Sequence, residues 1–95
     1  MLLNDKVALI TGGASGIGEA TAKLFKAEGA EVVLTDVDEV AGMRVMHEIG
    51  SGAHFLQCDV TSEEQVRAVI GEIAEKYGRL DCAVNNAGVT GVPAN

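Results

Sequence analysis

The sequence predicts an α/β fold with a doubly wound parallel sheet, on three observations. Short apolar runs alternate with amphipathic segments along the chain, in the order β-α-β-α-β-α-β. Apolar residues make up 47% of it, enough for a core and against disorder. Twelve glycines stand against one proline, so the special backbone positions are glycine turns and close approaches rather than proline-rich linkers.

The elements follow in order. Val7-Ala8-Leu9-Ile10-Thr11 is a short apolar run ending in Gly12-Gly13 and reads as a buried strand. Ile17, Ala20, Thr21, Leu24 and Phe25 then recur with the spacing of one helix face, and Gly29 stands where a helix end favours a left-handed residue. Val32 to Asp36 is a second buried strand. A helix from Asp38, as N-cap, to Ile49 is expected to turn Val40, Met43, Met46 and Ile49 inward and to close at Gly50. Ala53 to Cys58 is the third strand. Thr61-Ser62-Glu63-Glu64 reads as a capping box opening a helix whose inner face is Val66, Val69, Ile70, Ile73, Ala74 and Tyr77, with Gly78 at its end. Leu80 to Asn85 is the fourth strand.

Apolar strands separated by such helices imply a parallel sheet with helices on its faces, joined by right-handed crossovers. The expected strand order is 3-2-1-4, a Rossmann-type arrangement whose ligand crevice lies where strands 1 and 4 diverge. The helices after strands 1 and 2 then cover one face, and the helix after strand 3 the other. Strands 3 and 4 stand three places apart, roughly 14 Å at ~4.8 Å per strand. Cys58 and Cys82 could not form a disulfide across that gap, since bridged Cα atoms lie within ~7 Å. Two buried strand residues are the expected reading of both.

The formal charge of −7, with no basic cluster, disfavours nucleic acid and anionic membranes as partners. No apolar run approaches the ~20 residues needed to span a bilayer. The first residues lack the pattern of a signal peptide, so a cytoplasmic location is the expectation. No metal site is expected from two cysteines, and His47 and His54 read as surface residues.

Chemistry concentrates at the strand ends. Thr11-Gly12-Gly13-Ala14-Ser15-Gly16-Ile17-Gly18 lies between a strand and a helix. A diphosphate needs backbone amides at a helix N-terminus and no side chain in the way. Gly12 permits the sharp turn, Gly16 lets the pyrophosphate approach, and Gly18 lets helix and strand pack closely. The Gly-Lys-Ser/Thr of an ATPase loop is missing. Asp36, about 20 residues past the glycine turn, can accept from both adenosine-ribose hydroxyls and would repel a 2′-phosphate; alternatively it only caps the next turn. Ser15 and Val37, where an NADP site would carry a cation, are uncharged, so NAD is the expected coenzyme. Asp59 could accept from an adenine amino group while Val60 packs on the ring. Asn86 offers donor and acceptor, and Gly88 lets the backbone pass close to a cofactor. Each string alone is weak, but four compatible elements on four successive strand ends agree.

These residues resemble the short-chain dehydrogenase/reductase family, in its classical branch. The glycine turn Thr11–Gly18 matches the family's Thr-Gly-x-x-x-Gly-x-Gly, Asp59-Val60 its adenine-pocket pair, and Asn85-Asn86-Ala87-Gly88 its Asn-Asn-Ala-Gly motif. The extended branch spaces its glycines differently. The resemblance implies that Ser15, Ile17, Asp36, Val37, Asp59, Val60, Asn86, Ala87 and Gly88 contact the cofactor. It also implies hydride transfer between NAD and an alcohol or ketone, with the substrate open among secondary alcohols, hydroxysteroids, sugars and acyl-carrier ketones. The family's oligomers are commonly tetramers, and a homo-oligomeric parent protein is the expectation.

The family's catalytic Ser, its Tyr-x-x-x-Lys pair and a supporting Asn are not in these 95 residues, which makes no residue here catalytic. Tyr77 is followed by Gly78-Arg79-Leu80-Asp81 and reads as core packing. Residues 1–95 are therefore expected to be the N-terminal part of a dinucleotide-binding domain; the other reading is a complete, non-catalytic binding or interaction module. An apolar fourth strand left open at the sheet edge would make the isolated chain marginal in stability. The purified 95-residue chain is expected to show no NAD-dependent alcohol oxidation above background. Measurable turnover would contradict that, because the family's general acid/base is absent.

Overall fold

Short runs rich in apolar residues form the strands and the segments between them form helices. A computed structural model describes residues 2–14 and 16–86. The elements are β1 (Val7–Thr11), α1 (Gly16–Ala27), β2 (Glu31–Asp36), α2 (Glu39–Ile49), β3 (Ala53–Gln57), α3 (Glu63–Tyr77) and β4 (Cys82–Asn85). All strand pairs are parallel and the order is β3-β2-β1-β4. In register, Ile10 lies between Leu34 and Val84, and Thr11 between Thr35 and Asn85, so the carboxyl ends of three strands finish level.

Alternation along the strands divides the core in two. Ala8, Ile10, Val32 and Leu34 face α1 and α2, where Ala22 and Val45 complete a fully buried cluster with Phe25, Met46 and Ile49 packed on it. Val7, Leu9 and Val33 face α3 through Val69 and Ile73, with Val66 and Tyr77 beside them. Cys58 is buried on this second face, Cys82 packs against the first, and both are free thiols. Among the described residues β3 and β4 are the sheet margins.

The helix faces differ from the periodicity reading. On α1 the buried positions are Gly18 and Ala22, whereas Ile17 is 76% and Leu24 59% exposed. On α2 they are Gly42 and Val45, with Val40 82% exposed and Met43 turned largely outward. The reason is close packing through small residues. A Cβ on Gly42 would stand 2.0 Å from the Phe55 ring, so α2 lies on β3 by its glycine and rotates its larger side chains away. On α3, Ile70 and Ala74 are likewise exposed.

Capping follows the expected logic with one shift. Asp38 caps α2, accepting from the Ala41 N–H at 3.0 Å. The α3 cap is Ser62 rather than Thr61: Ser62 Oγ accepts from the Gln65 N–H. Thr61 is instead drawn to Asp59, to which both its N–H and its hydroxyl donate. Glu64 therefore makes no capping box, and Gln65 Oε1 reaches back to the Asp59 N–H at 2.8 Å.

The helix assignment has a direct check by chemical denaturation. Val45→Ala is expected to cost about 1–3 kcal/mol, as loss of a fully buried side chain. Val40→Ala is expected to change stability by less than ~0.5 kcal/mol. Equal effects would contradict the observed face of α2.

Candidate coenzyme site

The glycine turn is built by contacts that exclude side chains. Gly12 and Gly16 have positive φ, 65° and 57°, a conformation costly for other residues. A Cβ at Gly16 would meet nothing within 4 Å, so the start of α1 opens on free space where a ligand phosphate could approach the backbone. Gly18 is the reverse case: a Cβ there would lie 1.9 Å from the Gly12 carbonyl oxygen. Helix and turn thus touch backbone to backbone.

Two side chains tie this turn to its neighbours. Asp36, at the tip of β2, accepts from the Ala14 N–H through Oδ2 at 3.2 Å and from the Asp38 N–H through Oδ1 at 3.0 Å. It does cap the next turn, and it also anchors the glycine turn. A carboxylate has about four lone-pair sites, so these two bonds leave acceptor capacity. Thr11, at the end of β1, donates its hydroxyl to Asn85 Oδ1 at 2.9 Å and accepts from the Asn86 N–H at 3.1 Å. The turn after β1 is thereby stitched to the end of β4.

The remaining expected site residues reach the same carboxyl edge. Val37 is 61% exposed and Ile17 more so, two apolar side chains left facing outward beside the turn. Asp59 and Val60 follow β3, both half-buried. The Thr61 hydroxyl, then the Thr61 N–H, hold the Asp59 carboxyl below its usual range; both bonds fall on Oδ1, leaving Oδ2. Asn86 Nδ2 is buried with no protein partner. The Thr35 hydroxyl is also buried and unpartnered, beside a cavity of about 10 Å³ lined by Thr11, Thr35, Cys58 and Val60. Such a space admits about one water. The structure thus brings Gly12, Gly16, Ile17, Gly18, Asp36, Val37, Asp59, Val60 and Asn86 to one edge. Ser15, Ala87 and Gly88 lie outside the described residues.

Tyr77 sits elsewhere. Its ring packs 5.7 Å from His54 near the amino ends of β2 and β3, and burial, then the Glu31 charge, push its phenol pKa up. A cavity of about 180 Å³ beside it, lined also by Val33, Phe55, Leu56 and Ile73, is remote from the glycine turn. His54 is half-buried rather than a free surface residue, at 3.3 Å from Glu31.

Sequence reasoning missed two participants at the carboxyl edge. Thr11 was read as the strand end and the first residue of the glycine turn with no role for its hydroxyl, although a threonine closing a strand before a glycine turn has a hydroxyl to spend locally. Arg44 reaches the Ala14 carbonyl from α2, at 3.5 Å. No local pattern signals that contact, because it joins residues on separate elements.

A family model of the short chain dehydrogenases matches residues 6–95. The chain belongs to the short-chain dehydrogenase family. Zerumbone synthase of Zingiber zerumbet is 50% identical over 93 residues, covering 96% of this chain and 35% of that protein. Secoisolariciresinol dehydrogenase of Forsythia intermedia is 48% identical over 89 residues, covering 93% of this chain and 32% of that protein. The chain therefore spans about a third of the length of these curated relatives. A crystal structure of 3-ketoacyl-(acyl-carrier-protein) reductase from Brucella melitensis complexed with NADH superposes with a TM-score of 0.88 at 44% identity, covering 98% of this chain and 38% of that one. The short-chain dehydrogenases are oxidoreductases, and the Rossmann-type sheet of this chain is theirs. No helix among the described residues is long and apolar enough to cross a membrane, and no metal-binding cluster is found among them.

The Asp59 contacts carry a pH dependence. A carboxylate whose folded pKa is depressed stabilises the fold above its unfolded pKa and loses that contribution as pH falls through the folded value. The stability difference between wild type and Asp59→Asn is expected to narrow as pH drops below about 4, in urea titrations at several pH values. A difference that stays constant to low pH would show that the carboxylate is not held in its charged form.

Proposed function

We propose that residues 1–95 are the N-terminal part of a dinucleotide-binding domain in an NAD-dependent oxidoreductase that interconverts alcohols and ketones. The observation that carries this reading is the unobstructed start of α1 at Gly16 beside the Asp36 carboxylate. The backbone at Gly16–Gly18 would take the pyrophosphate, where helix amides and the helix dipole favour anions. Asp36 would accept from the adenosine-ribose hydroxyls with the acceptor capacity its two amide bonds leave. Asp59 Oδ2 and Val60 would meet the adenine edge and face, and Ile17 and Val37 would cover the adenosine and diphosphate from water. Asn86, with its unpartnered Nδ2, would face the part of the coenzyme nearest β4, together with Ala87 and Gly88, while Ser15 would stand at the adenosine end.

When bound, a nicotinamide coenzyme accepts or gives the hydride, and the alcohol's hydroxyl proton goes to a base outside these residues. The NADH-bound reductase with the same fold supports the coenzyme class. The preference for NAD over NADP rests on Asp36, whose charge opposes a 2′-phosphate, and on the absence of a basic side chain at Ser15 and Val37. Alcohol or ketone as substrate is consistent with the dehydrogenases and reductases among the relatives. The parent protein is read as a homo-oligomer, on family likeness alone.

Titration of the protein that carries this chain with NADH and with NADPH, followed by nucleotide fluorescence, tests the reading. NADH is expected to bind at least about tenfold more tightly, the scale of one charged hydrogen bond gained or opposed. Equal affinities would remove the role given to Asp36, and no binding of either would remove the dinucleotide reading.

A further inference from the structure

The charges around the glycine turn do not end with Asp36. Arg44 Nη2 donates to the Ala14 carbonyl at 3.5 Å, while Asp36 accepts from the N–H of the same residue at 3.2 Å. One residue of the turn is therefore flanked by an anion and a cation. The cation is engaged elsewhere. Arg44 Nη1 donates to Glu48 at 2.7 Å and Nη2 to Glu19 at 3.2 Å. Both glutamates also bind Lys23, at 2.7 and 3.1 Å, which closes a four-charge cluster between α1 and α2. Hydrogen bonds within the cluster, that donated to Glu48 first, raise the Arg44 pKa, and those donated by Lys23 and Arg44 lower both glutamates.

The cluster is soft. The Arg44 side chain is 49% exposed, and its shortest bond is an i,i+4 pair in water, an arrangement that binds weakly and yields to competitors. A guanidinium matches phosphate in two-pronged geometry better than a lysine does. Its contact with Ala14 places it next to the residue that Asp36 holds.

We propose that Arg44 is a specificity-determining residue: a phosphate-competent cation that Glu19 and Glu48 keep occupied, so that the coenzyme choice rests on this sequestration as well as on Asp36. The inference rests on the dinucleotide reading above. Asp36 refuses the 2′-phosphate by repulsion, and the two glutamates deny it the nearest partner. Lys23 is no substitute: among the described residues its two hydrogen bonds go to the same glutamates.

Binding of NADH and NADPH to Asp36→Ser, Asp36→Ser/Glu48→Gln, and the latter with Arg44→Met or Arg44→Lys tests this in the protein that carries the chain. Thermal melts establish that each variant is folded. Removing the Glu48 charge loosens Arg44, with Glu19 as its remaining carboxylate partner, and is expected to tighten NADPH binding severalfold, up to roughly tenfold, beyond Asp36→Ser alone. Added Arg44→Met is expected to erase that gain, lowering NADPH affinity clearly more than NADH affinity, and Arg44→Lys to keep part of it. The gain should shrink with added salt.

If the gain survives Arg44→Met, mere removal of negative charge explains it and the inference falls. It also falls if Arg44→Met weakens NADH and NADPH alike, since the residue is then only a clasp between helices. Unaltered protein that binds NADH with the expected preference isolates either failure to Arg44. Unaltered protein that binds neither nucleotide removes the dinucleotide reading and this inference together.

Discussion

With no side chain at residue 18, α1 lays its backbone against the Gly12 carbonyl, and the arrangement of the carboxyl edge depends on that contact. A helix brought this close to the turn must put its small residues inward, so Gly18 and Ala22 are buried and Ile17 and Leu24 are not. The same approach holds the helix start beside β1, with Gly16 open to solvent. Burial of the helix and exposure of its first residues are two results of one steric requirement.

Around this contact, polar side chains lock the turn to the strands on either side. Asp36 joins it to β2 and to the start of α2, and Thr11 joins it to the end of β4. Backbone bonds do the same, from Gly13 N–H to the Thr35 carbonyl and from Asn86 N–H to that of Thr11. A phosphate site made of amides gains from being held in place before the ligand arrives, because the ordering cost is then met during folding. The two apolar faces beneath supply the rigidity: Ile10 and Leu34 on one side and Val33 and Ile73 on the other are almost wholly buried. Function and packing share the strands, and they separate only at the last residue or two of each.

Much of this was legible in the sequence. The order of elements, the strand order and the division of the helices between faces follow from apolar runs and the rules of parallel sheets, and the structure has all three. The glycine turn was legible because its backbone and its close contact with the helix demand glycine, a signal that survives in one dimension. Helix faces were harder to read. Hydrophobic periodicity treats Val40 and Met43 as inward, but the Phe55 ring occupies the space at Gly42 and rotates α2, a fact that depends on a residue in another strand. The α3 cap moved by one residue because Asp59 captures Thr61, a competition between neighbouring acceptors that the capping pattern alone does not resolve. Arg44 escaped notice for the same reason: its partners lie on α1 and in the turn, thirty residues or so away in sequence and at bonding distance in space.

The central claim is that a dinucleotide lies along the carboxyl edge of this sheet, across β2, β1 and β4. Backbone amide NMR of the protein with and without NADH measures that most directly. Saturable shifts are expected at Gly12–Gly18, Asp36–Val37, Asp59–Val60 and Asn86, with Tyr77 and the amino ends of the strands unchanged. Shifts confined to the Tyr77–His54 side of the sheet, or none at saturating NADH, would contradict it.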